Sequence, residues 1–163
     1  MIKKSALINE MITYYAGDVK RINHFMKVYG FAKTIAELCQ LDSKKQEIVE
    51  VAAIVHDIGI KISEEKYNSS SGKYQQIEGP ALAEELLTKV GFSEDIISRV
   101  CFLVGHHHTY EAIDDIDFQI LVEADFLVNI HEDDMRKDVV LKINDKYFKT
   151  KTGKAFLEAL YSV

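Results

Sequence analysis

The sequence predicts an all-α protein, and three observations carry that prediction. Apolar residues recur at three- and four-residue spacing along most of the chain. No stretch alternates with the period of two that marks a strand. One Pro and eight Gly interrupt 163 residues, which suits long helices.

Each element follows from local signals. A first helix is expected over Ser5 to Ala16, ending at Gly17-Asp18. A second runs from about Asp18 to Leu41 on a stripe of Ile22, Phe25, Met26, Tyr29, Ala32, Ile35 and Leu38. A third starts at Ser43, where Ser43 and Gln46 have capping-box spacing, and reaches Gly59. The polar, Ser-rich stretch 62–76 reads as a loop. Gly79-Pro80 opens a fourth helix, with Pro80 at the first helical position, where its missing N–H is harmless. That helix stops at Gly91. Ser93 caps a fifth, with Glu94 and Asp95 near its positive end, running into His106-His107-His108. After a loop with Asp114 and Asp115, the apolar run Phe118 to Ile130 forms a sixth. The tail 135–163 reads as one or two further amphipathic helices with a weak point at 150–153. Short connections favour antiparallel neighbours.

The chain is of a length for one domain, 1–163, and 47% of its residues are hydrophobic. Its net charge of −6 argues against nucleic acid as a partner. Apolar runs such as Val51 to Val55 are too short for a bilayer, so no membrane partner is expected. Met1-Ile2-Lys3-Lys4 leads into no long apolar stretch, so no signal peptide is expected. Cys39 and Cys101 each sit in an apolar segment, which argues against a disulfide framework and for a cytoplasmic location.

Polar groups interrupt the segments that read as core. Val51-Ala52-Ala53-Ile54-Val55 is apolar on every side of a helix and runs directly into His56-Asp57. Asp125 lies one turn from Leu121 and within a turn of Val128 in the sixth helix. His24 lies beside the stripe of the second. Burying such groups without partners costs several kcal/mol, and conflicts of this kind are expected at functional sites.

Helix arithmetic brings them together. If the second and third helices form an antiparallel hairpin, His56 comes within roughly 4.5 Å of the level of His24, at about 1.5 Å rise per residue. Pairing the fourth and fifth helices about Gly91 sets Glu78 beside His106 and His107, and Asp125 completes the set. Neutral imidazoles with carboxylates suit a divalent transition metal: Fe, Mn, Co, Ni or Zn. No Cys joins the group, which argues against a closed Cys-rich zinc site. His24, His56, Asp57 and Asp125 leave coordination positions open for one ion; Glu78, His106 and His107 are candidates for a second.

Each residue also has a structural reading. A buried His can be a hydrogen-bonded core residue, Asp125 can pair with Arg or Lys, and Glu78 can serve a helix dipole. Of the three consecutive histidines, geometry lets one or two point inward. His131 reads as surface, and Tyr14, Tyr15 and the Phe residues as core. The conjunction of His24, His56-Asp57 and Asp125 on three apolar helices is what favours a metal.

The order of these residues resembles the HD-domain metal-dependent phosphohydrolase superfamily. The matching pieces are Ile22-Asn23-His24, Ile54-Val55-His56-Asp57-Ile58-Gly59 and Val122-Glu123-Ala124-Asp125, over roughly residues 18 to 131. The resemblance implies a helical bundle of roughly six to eight helices, with the tail outside the core. It implies His24, His56, Asp57 and Asp125 as ligands of the first metal. Binuclear members carry a helix-opening histidine where this chain has Glu78-Gly79-Pro80-Ala81, and a second where it has Gly105-His106-His107-His108. Gly72 to Pro80 and the Gly-His-His-His-Thr stretch look like a small bacterial subgroup of HD proteins.

The activity implied is hydrolysis of a phosphate ester in a nucleotide or other small phosphorylated metabolite, through a metal-activated water. Asp57 would hold the metal and could bridge two ions. Lys61 would neutralise phosphate charge, and Lys73 with Ser69 to Ser71 would reach the substrate from a mobile loop. Two other readings stand beside it: a di-iron oxygenase of the same fold, and a metal-stabilised regulatory module without turnover. Phe156, Leu157 and Leu160 could serve a homodimer as easily as the core.

Overall fold

The computed structural model describes residues 2–163. Its order is α1 (Ile2–Tyr14), α2 (Val19–Leu38), α3 (Ser43–Val55), α4 (Ile60–Tyr67), α5 (Gly72–Val90), α6 (Glu94–His106), a 3₁₀ turn at Tyr110–Ala112, α7 (Ile116–Glu132), α8 (Lys137–Tyr147) and α9 (Lys151–Tyr161). The fold is all-α, and no described residue is in a strand. Two antiparallel pairs, α2 with α3 and α5 with α6, make the frame. α7 packs on α2 and α3, and α3 also packs on α6. No described helix is long and apolar enough to cross a membrane.

α7 is the central rod. Phe118, Ile120, Leu121, Ala124 and Leu127 are buried on it, and so are Asp117, Glu123 and Asp125. Two of these acids are structural. Asp117 receives Arg99 Nε at 2.8 Å and Nη2 at 2.6 Å. Glu123 accepts from Gln119 Nε2, the Lys149 and Thr150 N–H groups at 2.7 and 2.8 Å, and the Thr150 hydroxyl. Those bonds satisfy the backbone where α8 hands over to α9, which is the weak point read at 150–153.

The stretch read as a loop over 62–76 is corrected. It holds most of α4, a four-residue connection and the first turns of α5. α4 reads as a loop because it buries only Ile60 and Ser63. Asn68 ends it in the left-handed conformation, at φ +50°. α5 therefore begins at Gly72, and Pro80 lies inside it. A helix-interior Pro leaves the carbonyl four residues earlier without its N–H and crowds it. Here Gly105 of α6 faces the Pro80 ring, where a Cβ would come within 3.1 Å of Cγ. The tertiary fit thus overrides the local rule.

Two caps also differ from expectation. Asp42 caps α3, accepting the N–H groups of Lys44 and Lys45, because its side chain already fills the role assigned to Ser43. The freed Gln46 amide donates to the Lys33 carbonyl and to Glu50. Ser93 stands at the start of α6, but its hydroxyl donates to Asp95 rather than capping the helix. In the tail, Leu157 is fully buried, Phe156 lies against Phe31, and Leu160 is half exposed.

Gly59 sets how closely the α2–α3 pair meets the α5–α6 pair. A Cβ there would stand 2.6 Å from the Gln75 carbonyl oxygen and 3.0 Å from the Gly79 nitrogen. Only a glycine lets α5 cross the Asp57-Ile58-Gly59 turn at this distance. Tyr15 and Tyr14, read as core alone, also grip this turn: their hydroxyls donate to the Asp57 and Ile58 carbonyls at 2.7 and 3.2 Å.

Candidate metal centre

Three helix ends and the middle of α7 converge. His24 comes from α2, His56 and Asp57 from the end of α3, His107 from the end of α6, and Asp125 from α7. His56 and His107 are 0% and 2% exposed, His24 and Asp125 7% and 8%. Asp57 is partly buried and faces a cavity of about 440 Å³.

The outer nitrogen of each ring is engaged. His56 Nδ1 lies 2.9 Å from the Ala53 carbonyl and His107 Nδ1 lies 2.8 Å from the Val104 carbonyl. His24 Nδ1 lies 2.8 Å from Glu132 Oε2. Carbonyls and carboxylates only accept, so each Nδ1 carries a proton and each Nε2 is turned inward, where the neutral ring offers its lone pair. Those lone pairs meet other acceptors. His24 Nε2 is 3.2 Å from His56 Nε2, from Asp57 Oδ2 and from Asp125 Oδ1. His56 Nε2 is 3.4 Å from Asp57 Oδ2 and 3.6 Å from Asp125 Oδ1. His107 Nε2 is buried without a hydrogen-bond partner, 3.4 Å from Asp57 Oδ1. Ligand atoms bound at about 2.0–2.2 Å to one ion sit roughly 3.0–3.5 Å from each other. The spacing and the donor set both fit a divalent transition metal.

The electrostatics agree. Burial disfavours charge on His56, but Asp57 and Asp125 beside it outweigh burial and raise its pKa well above the usual 6.5. His24 is raised likewise, against burial, by its contact with Asp125. Burial pushes the Asp57 carboxyl up, but His56 and His107 prevail and hold it well below the usual carboxylate range. Asp125 is held below that range, against burial, by His24 and His56. Without a cation His24 and His56 are drawn toward the protonated form; a divalent ion displaces those protons.

Asp57, His107 and His108 form a second group of converging ligand atoms. His108 lies 3.2 Å from Gln75 Oε1 at its Nε2. Burial, reinforced by His107, lowers its pKa to about 4, so the ring is neutral at pH 7.

Other candidates from the sequence lie elsewhere. Glu78 does not meet His106 or His107; it accepts from Lys66 Nζ and the Tyr67 hydroxyl, both at 2.7 Å. Hairpin arithmetic supplies the level along α5 but not the rotation: Gln75 and Gln76 face the triplet, and Gln76 Oε1 accepts from the His108 N–H. His106 stacks on Phe102 and bonds the Phe102 carbonyl through Nδ1, so it stands outside both groups. Lys61 lies over the Tyr14 ring, 5.1 Å from its centroid, and Lys73 sits over Tyr74. Neither lines the cavity. The cations that do are Lys20 and Arg21, with Ser70, Gln75, His108, Asn129 and Glu132 among the other walls. Arg21 pairs with Asp18 at 2.6 Å and Glu64 at 2.5 Å. Glu132 is not among the sequence candidates, and the signal that points to it is its place two turns after Asp125 on one helix face. Asn129, one turn after Asp125, donates to Asp125 Oδ1 at 2.9 Å.

The HD domain family matches residues 21–146, from the start of the His24 segment to the end of α8. The chain belongs to the HD-domain family. Among curated proteins, none matches this HD domain. Its fold is shared with a crystal structure described as a predicted HD superfamily hydrolase from an uncultured Thermotogales bacterium. The TM-score is 0.70 at 22% identity, over 97% of this chain and 84% of that one.

Proposed function

We propose that this HD domain is a metal-dependent phosphohydrolase acting on a small phosphorylated metabolite. The observation that supports it is the inward-turned set of His24, His56, Asp57 and Asp125, of which His24, Asp57 and Asp125 line a cavity of about 440 Å³. Those four residues would hold the ion, and Asp57, His107 and His108, whose ligand atoms also converge, would be the residues to hold a second. A bound divalent ion supplies a Lewis acid for phosphoryl oxygen and a source of hydroxide at neutral pH.

The chain's own residues do the rest. Asn129 orients Asp125, and the Ala53 and Val104 carbonyls aim His56 and His107. Lys20 offers positive charge on the cavity wall, the role expected of Lys61 and Lys73, while the Arg21 guanidinium beside it is held by Asp18 and Glu64. The rings that line this cavity among the described residues are the imidazoles of His24 and His108, with no Phe, Tyr or Trp on which a base could stack. That favours a compact polar phosphoester over a nucleotide.

The test is phosphate release by the purified protein supplied with Mn²⁺, Fe²⁺, Co²⁺ or Ni²⁺, across sugar phosphates, other small phosphoesters and nucleotides. Release that disappears in His56→Ala and Asp57→Ala supports the reading. Equal release by those variants, or none from any substrate with any metal, defeats it.

A further inference from the structure

The three imidazoles that point Nε2 inward are held from behind in two different ways. His56 and His107 each donate Nδ1–H to a neutral backbone carbonyl of their own helix. His24 alone donates to a charged side chain, Glu132 Oε2 at 2.8 Å. Glu132 is the last residue of α7, two turns beyond Asp125. Its other oxygen, Oε1, takes Lys27 Nζ at 3.0 Å. Lys27 stands one turn after His24 on α2, so one carboxylate clasps two successive turns of that helix. The Glu132 side chain is 12% exposed, and screening by water is correspondingly weak.

We infer that Glu132 is a positioning residue for the metal centre, holding His24 as the Nδ1–H tautomer with Nε2 aimed at the ion, and that Lys27 holds Glu132 in place. The inference rests on the reading that the cluster binds a metal. A charged acceptor behind an imidazole also raises its donor strength, so His24 is the strongest nitrogen ligand of the set. A backbone carbonyl gives His56 and His107 less of this. Glu132 also borders the cavity, so a direct role toward substrate is the competing explanation.

The test uses metal alone, without substrate. The metal-free protein is titrated calorimetrically with Co²⁺ and Mn²⁺ in the wild type and in Glu132→Ala, Glu132→Gln and Lys27→Met. The cobalt-loaded protein is then examined by proton NMR for the shifted, exchangeable ring N–H signals of its histidine ligands. Glu132→Ala should weaken binding about 10- to 100-fold and lose the His24 N–H signal to fast exchange, with the His56 signal kept. Glu132→Gln still offers an oxygen to Nδ1–H and should recover most of the affinity and the signal. Lys27→Met should fall between the wild type and Glu132→Ala. Wild-type affinity in Glu132→Ala, or loss in Glu132→Gln as deep as in Glu132→Ala, overturns the inference while leaving the metal reading intact. A wild type that binds neither ion overturns the metal reading and this inference together.

Discussion

His24 Nε2 and His56 Nε2 lie 3.2 Å apart across 32 residues of chain, each with its outer nitrogen already bonded. Two lone pairs do not rest at that distance beside two carboxylates unless a proton or a cation sits between them. Most of what this protein is expected to do follows from that contact.

Metal should therefore stabilise the fold. A ligand that binds only the native state at about 100 times its dissociation constant adds about 2.7 kcal/mol. Thermal unfolding with Mn²⁺ or Co²⁺ should give a higher Tm than the protein with chelator. In His56→Ala the two curves should nearly coincide.

Removing a ligand should cost more than removing its support. Asp57 touches both ligand groups, so Asp57→Asn should lower metal affinity by more than the roughly 10- to 100-fold typical of a supporting residue. Calorimetric titration with Co²⁺, beside the Glu132 variants, reads the order directly.

Gly59→Ala tests the close crossing. The added Cβ meets backbone rather than a flexible side chain, so α5 must move. Overpacking of this kind costs about 1–3 kcal/mol. The urea midpoint should fall accordingly, and metal affinity should fall with it because the displaced turn carries Asp57.

Arg99 binds two carboxylates of unlike exposure. Asp117 is 2% exposed and loses the guanidinium paired with it in Arg99→Met, which should destabilise the protein by about 3 kcal/mol in denaturant titration.

Acid should remove stability in a defined window. Arg99 lowers the Asp114 pKa from 3.8, and Lys45 lowers that of Asp115 from the same value. A carboxyl lowered in the folded state stabilises above its unfolded value, and that contribution fades as pH falls through the folded one. The urea midpoint should thus begin to drop below about pH 4, from these groups. In Arg99→Met, carboxyl NMR should show Asp114 titrating at higher pH than in the wild type.

The helical fold and the four principal candidate residues were legible because each left a local mark. Spacing marked the helices, and charge inside an apolar run marked His56-Asp57 and Asp125. Glu123 carried the same mark for another reason, since its buried carboxylate ties down the start of α9. α4 left almost no mark, as only one narrow stripe of it is covered. Pro80 left a misleading one, because propensity reports a helix in water while here Gly105 of α6 packs against the Pro80 ring.

By itself the sequence determined the all-α class, the family and the residues with chemistry to offer, since periodicity and residue type are properties of the chain. Tertiary structure alone decided that Glu78 faces Lys66 and Tyr67, that His107 rather than His106 turns inward, and that Glu132 stands behind His24. Spacing along a helix gives the height of a side chain. The rotation of that helix against its neighbours is set by the packing of all of them at once, here by the close passage of Gly59 and Gly79.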